Sequence, residues 1–324
     1  MEKIDQNTFF TITKHFDVIP YSQTESWVMA QSDNDPLKLL FLVDNTSNPK
    51  IGCIAHIKKK CGLKMLLIEA ERREKKNFKS STIRCFYEEL RQLGFDAIEI
   101  NSCLPYSSEY EIGIRQAGFL RPVGLFSVQL TSYIHLDTEI KYDHNWKRNL
   151  KKAETFGLTF EIINKPISKD IQDFLELYNE MISRKKVPST FTFNTINTLL
   201  VSNYFQLFFI KNESGKRIAT IIIYKVRSYA GGLYAASGKL AHDCAASFYL
   251  YNNLLQYLAQ NGILIFDMAK LAPSTHSTNS VFIFKNGIKG EYVLVNGEWS
   301  WYKNNWLRPL MYVAKKLLWK KIEV

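Results

Sequence analysis

The chain reads as an α/β protein with mixed sheets, an α+β arrangement in which one pattern of elements is used twice. Three observations predict this. The 324 residues exceed one compact core, and 46% hydrophobic with 14% aromatic residues can fill two cores of about 150 residues each. Short apolar or alternating runs, bounded by turn residues, are interspersed with segments of helical period. The order strands, helix, strand, helix, strand begins again after Asn145 with little residue similarity, as a duplicated unit would.

In the first half, 39–43 is an apolar run into Asp44-Asn45, 51–57 a second strand and 63–70 a third. Residues 80–93 place Ile83, Phe86, Tyr87, Leu90 and Leu93 on one helical face, with Ser80 positioned as a cap and Gly94 as the stop. Residues 95–100 alternate like a strand, 109–117 form a short helix ended by Gly118, and 119–130 return as strand. In the second half, 146–156 is a basic helix stopped by Gly157, 158–163 a strand, and 169–185 a helix with Phe174, Leu177, Tyr178 and Met181 inward. Runs 205–210 and 217–227 make a hairpin through Asn212-Glu213-Ser214-Gly215. Next come a strand at 229–237, a long helix at 244–260 and a buried strand at 263–266. These patterns predict domains at 1–138 and 139–303, with a basic amphipathic helix at 304–324.

A count of 42 Lys and Arg against 31 Asp and Glu gives +11, a field that favours phosphates, nucleic acid or an anionic leaflet, unless the surface is merely lysine-rich. The five cysteines are scattered without a CxxC pair, and the histidines have no ligand spacing, so neither a disulfide framework nor a metal site is expected. The opening residues, without an apolar core, do not read as a signal peptide, so none is expected, and no apolar run approaches the roughly 18 residues of a spanning helix. The expected location is cytoplasmic, with peripheral contact at the inner membrane face as a further expectation. There is no GxSxG elbow and no Walker sequence.

The densest group of candidate site residues lies between Phe266 and Trp299. Asp267 ends a buried strand, and Lys285 follows the strand-forming run Val281-Phe282-Ile283-Phe284, close to Gly287. Lys147 with Lys151, and Arg148 with Lys152, fall at i, i+4 on the basic helix; four cations so close suggest a nearby anion, or a solvated face. In the tail, 306–321, Leu307, Leu310, Met311, Ala314, Leu317 and Leu318 share a face beside several cations. That helix suits either an anionic leaflet or docking on its own domain.

The stretch Asn145-Trp146-Lys147-Arg148-Asn149-Leu150-Lys151-Lys152-Ala153-Glu154 resembles the basic segment that opens the second domain of FemAB-like transferases. Phe284-Lys285 with Gly287 and Gly290, then Gly297-Glu298-Trp299, resembles that family's closing motif. The resemblance spans nearly the whole chain, although only the second half carries motifs. It implies two tandem GNAT-like domains with the acceptor site between them, and transfer of an amino acid from aminoacyl-tRNA to an amine of a peptidoglycan precursor. Acyltransferase relatives act on polysaccharide building blocks. One departure stands out: where many members follow the acidic strand end with two glycines, this chain has Met268-Ala269.

Amide formation needs a held donor, a neutral amine, and positive charge where the carbonyl oxygen becomes negative. Lys285 is the candidate for that charge, against the alternative of a solvated lysine. Asp267 is the candidate to accept the amine's proton or orient it, against a local turn cap. Arg184 could grip an acceptor phosphate or simply suit a helix C-terminus, and Tyr234 could bind acceptor sugar or peptide or be an ordinary strand aromatic. Lys147, Arg148, Lys151 and Lys152 would meet diphosphate or RNA backbone. The stretches 69–79 and 237–246 lack a convincing glycine-rich phosphate turn, which favours an RNA-borne donor over coenzyme A. The expectation is thus an acyltransferase without bound cofactor, using aminoacyl-tRNA or acyl-CoA on a nucleotide- or lipid-linked envelope precursor. The alternatives are an acyl-CoA-dependent N-acyltransferase of an amino sugar, and a non-catalytic module binding RNA or a membrane surface.

Overall fold

The computed structural model describes residues 1–60, 62–75, 78–122, 129–185, 191–273 and 280–318. In chain order the first elements are β1 (Glu2–Ile4), α1 (Gln6–Ile12), α2 (Glu25–Gln31), β2 (Leu39–Val43), β3 (Ile51–Lys60) and β4 (Leu63–Ile68). Next come β5 (Arg72–Arg73), α3 (Ser80–Arg91), β6 (Ala97–Pro105) and α4 (Ser108–Gln116). The second half supplies β7 (Leu130–His135), α5 (His144–Ala153), β8 (Thr159–Ile163), α6 (Ser168–Lys185) and α7 (Phe193–Leu200). The hairpin β9 (Phe205–Lys211) and β10 (Arg217–Val226) leads to β11 (Tyr229–Ser237), α8 (Lys239–Asp243), α9 (Ala246–Gln260) and β12 (Ile265–Asp267). The chain closes with α10 (Ser280–Gly287), β13 (Glu291–Tyr302) and α11 (Leu307–Leu318).

Two compact units emerge, one of Met1–Leu130 with Val293–Val324 and one of Thr131–Tyr292. The sequence pattern divides the chain at 138/139 and 303/304; the compact units change over at 130/131 and 292/293. In the first unit the strand order is β1-β2-β3-β4-β6-β13, with β5 on β3. The pair β4–β6 is parallel, Met65 to Ile68 facing Ala97 to Ile100. Ile83, Phe86, Tyr87 and Leu90 of α3 are buried in its core with Trp299 of β13.

In the second unit the order is β7-β12-β11-β10-β9-β8. Its strands β9 and β10 are buried almost throughout, and α9 contributes Leu250, Leu254, Leu255 and Leu258 to one continuous core. The stops at Gly94, Gly118 and Gly157 each take a positive φ, as helix ends built on glycine do.

Several expectations are corrected. Val281 to Phe284 is helical, lying within α10, although its residues favour strands. Tertiary packing decides: Phe284 sits among Trp146, Phe248 and Tyr251, with ring centroids 5.9, 5.0 and 5.0 Å away. The strand expected at 119–130 is reduced to a single bridge, Leu120 with Ser300, and the strand proper is β7, beginning at Leu130; residues 123–128 lie outside the described residues. Ser80 is the first residue of α3 and not its cap; its amide is satisfied by Glu109 at 2.6 Å. The helix expected at 244–260 is α9, which starts at Ala246 after Ala245 with φ 53; the short α8 precedes it at Lys239–Asp243. Cys61, Lys186, His276, Lys320 and Lys321 lie outside the described residues, as do the side chains of Lys315 and Lys316.

Candidate active site

The site is built where two strands of the second unit part. β12 pairs in parallel with β11 over three residues only, Tyr229 to Gly231 facing Ile265 to Asp267. β11 runs on to Ser237, held on its other side by β10. The register with β10 shifts between Ile222 and Ile223, leaving Leu233 as an extra residue, and a bulge of this kind re-aims side chains beside a site. Beside Gly232 to Ser237 lies a cavity of about 390 Å³, whose lining includes Met181, Leu233, His242, Phe248, Tyr251 and Lys285.

Lys285 reaches it from the last turn of α10 and is half-buried. Its Nζ donates to the carbonyl oxygens of Ala269 at 2.9 Å and Lys270 at 2.8 Å, which leaves a third proton free of those two bonds. Burial brings its pKa down to about 8, against the opposing pull of the Asp267 charge.

Asp267 is held from three sides. Oδ1 accepts from the Thr131 hydroxyl and from the Ala269 amide at 2.7 Å, and Oδ2 accepts from the Tyr229 hydroxyl at 2.7 Å. Burial raises its pKa, while these hydrogen bonds and then the charge of Lys285 hold it down. The carboxylate therefore fixes the turn that offers two carbonyls to Lys285. Ala269, where the resemblance expected a glycine, adopts φ 56, a left-handed conformation that costs an alanine about 1 kcal/mol relative to glycine. The glycine conformation is kept without the glycine.

The motif glycines are explained by contact. A Cβ on Gly287 would lie 2.7 Å from Trp146 Cδ1, and one on Gly290 would lie 2.5 Å from Ser132 Oγ and 2.6 Å from the Tyr133 carbonyl oxygen. Trp146 stacks on Tyr142 at 4.2 Å, and the Asp143 amide donates to Gly287 O at 2.8 Å. The stretch opening the second half thus packs against the stretch that carries Lys285.

The other candidates are more scattered. Arg184 Nη2 donates to Ser237 O at 3.0 Å, at the end of β11. Tyr234 turns to the aromatic group of Phe191 and Tyr178, centroids 4.4 and 6.2 Å away, and is not part of the cavity lining. Lys147, Arg148, Lys151 and Lys152 are exposed on α5 outside the lining, and Arg148 Nη2 donates to Asn145 Oδ1 at 2.6 Å. Lys185 and His242, which sequence patterning does not single out, do line the cavity. Burial lowers both pKa values, with Arg184 adding to each and Lys185 to His242. Their helical periods point elsewhere, so no local pattern announces them. Among the described residues no cluster of His, Cys, Asp and Glu is suited to a metal.

The single glycine between β11 and α9 is Gly238, and the place of a phosphate there is taken. The Lys239 amide donates to Glu180 Oε1 at 2.7 Å, and a Cβ on Gly238 would come 2.7 Å from Glu180 Oε2.

No family model and no curated protein matches this chain. Solved structures do. FemX is similar with a TM-score of 0.75 at 13% identity, covering 96% of this chain and 100% of that one. L-PGS from Bacillus licheniformis is similar at 0.65 and 15% identity, covering 98% and 97%. A tandem GNAT protein from the clavulanic acid biosynthesis pathway is similar at 0.52 and 10%, covering 91% and 93%. At these identities the likeness establishes architecture: the chain carries two GNAT-type units in tandem.

Proposed function

We propose that this protein is an acyltransferase that moves an aminoacyl group from aminoacyl-tRNA to an amine of a cell-envelope precursor, as its resemblance to FemAB-like transferases implies. One observation carries the reading: the Lys285 ammonium, partly desolvated and fixed by two backbone carbonyls, lines the cavity where β11 and β12 part. The acceptor amine attacks the ester carbonyl and forms the C–N bond, the tetrahedral intermediate then collapses by breaking the C–O bond to ribose, and the amine's proton leaves with the ribose oxygen. Lys285 stabilises the oxyanion that develops between these events. Asp267 acts as a positioning residue, since its oxygens already accept three hydrogen bonds. An RNA-borne donor is favoured because a carboxylate, Glu180, occupies the Gly238 turn where a pyrophosphate would need amides.

The test is single-turnover amide formation, with charged tRNA and nucleotide- or lipid-linked peptidoglycan precursors. Lys285→Ala should lower the rate by about 100-fold or more with the fold intact; a rate within a few-fold of wild type removes the assignment. A second reading, acyl-CoA-dependent N-acylation of an amino sugar, is favoured by the cavity's position between the parting strands and the start of α9. Saturable coenzyme A binding by calorimetry would select it.

A further inference from the structure

Among the described residues, α11 has an apolar anchor turned inward at its start and an exposed apolar stripe. Leu307 is 1% exposed, and Arg308 Nη2 donates to Arg121 O at 2.6 Å, so the helix is fastened at its start. Trp306, Leu310, Val313 and Leu317 fall at i, i+4, i+7 and i+11, a single stripe along a helix. Trp306 and Leu317 are 60% exposed, and Leu310 and Val313 are 49%. The face that the sequence groups together is thus divided between an inner anchor and an outer stripe.

The surrounding chemistry selects an occupant. From Trp299 to Ile322 there is no Asp or Glu, while Lys303, Arg308, Lys315, Lys316, Lys320 and Lys321 all fall within that stretch. A second copy would bring the same cations, and the same net +11, against themselves. Among the described residues no helix is long and apolar enough to cross a membrane. A helix of 12 residues spans about 18 Å, against a hydrocarbon core of about 30 Å. We infer that the outer stripe of α11 lies on the surface of an anionic lipid bilayer, its apolar residues entering the headgroup boundary, and that the excess of cations in this part of the sequence favours anionic over neutral lipid. Trp306 suits that boundary, where an apolar ring with one polar N–H is at home. The inference is independent of the transfer chemistry.

Co-sedimentation of the full chain with vesicles tests it, using phosphatidylcholine alone and phosphatidylcholine mixed with phosphatidylglycerol, at low and high salt. Binding to the mixed vesicles should exceed that to neutral ones by about tenfold or more, and fall with salt, each cation near the surface being worth about fivefold. Leu310→Glu with Leu317→Glu should reduce binding by about tenfold or more, with an unchanged circular dichroism spectrum, because both positions are already exposed. The milder pair Leu310→Ser with Leu317→Ser should weaken it in the same direction. Equal binding to both vesicle types, no binding to either, or full binding by the glutamate variant would overturn the inference. So would a dimer that the glutamate variant dissociates in the absence of lipid.

Discussion

Each unit contains a parallel strand pair, β4–β6 in the first and β11–β12 in the second, and the chain leaves β4 and β12 through a left-handed alanine, Ala70 or Ala269. Beyond that alanine the two units diverge. After β4 come Glu71, Arg72 and Arg73, all buried. Tyr87 donates to Glu71 at 3.2 Å, Arg72 bonds Gln23 O and Thr13 Oγ1, and the Arg73 guanidinium lies 3.4 Å from the centre of the Phe78 ring. Burial raises the Glu71 pKa and lowers that of Arg73, each opposed by the other's charge. After β12, by contrast, the charge is Lys285, held by carbonyls and facing a cavity. The same exit is braced with charge in one unit and equipped with it in the other.

If this contrast is sound, removing charge should cost stability in the first unit and activity in the second. Arg73→Ala strands Glu71 in the core and should lower stability by about 3 kcal/mol or more in chemical denaturation. An unaltered denaturation midpoint would dissolve the contrast. Lys285→Ala should do the reverse, leaving stability within about 1 kcal/mol while the transfer rate falls by about 100-fold.

The pH dependence refines this. Lys285 is charged below about pH 8 and neutral above it, so kcat should fall by about tenfold per unit on the alkaline side. The residual rate of Lys285→Arg should lack that limb. Its folded pKa lies below the usual 10.5, so the unfolded chain holds the proton more tightly, and stability from this group rises as pH climbs from about 8 to 10.5. Titration of the wild type against Lys285→Ala measures that slope. The smallest effect is expected from Ala269→Gly, which relieves the left-handed alanine and should stabilise the protein by at most about 1 kcal/mol. A marked loss of stability would mean that the methyl group itself is needed.

Much of the frame was legible in the sequence because it rests on local signals. The short strand-like runs became β2, β3, β8 and β9, the alternating run at 95–100 became part of β6, and the period-3.6 segments became α3 and α6. Asp267 and Lys285 were legible as candidates because a polar group beside a buried run is conspicuous. Their surroundings were not. Thr131 is 136 residues from Asp267 and Tyr229 is 38, and no local pattern encodes partners so distant. Val281 to Phe284 misled for a related reason, since strand-forming side chains can pack as a helix when aromatic neighbours from α5 and α9 receive them. The charged run from Glu69 to Lys75 has the composition of a solvated turn, yet three of its charged residues are interior.

The return of β13 to pair with β6, from Val295 to Tyr302, bears on how the molecule is made. The second unit is one uninterrupted segment and has all its residues once the chain has been synthesised through Tyr292. The first unit must wait, its sheet missing a member until Val295 to Tyr302 have been made. Vectorial synthesis therefore lets the segment born later finish first, and leaves β6 as an unpaired edge in the interval.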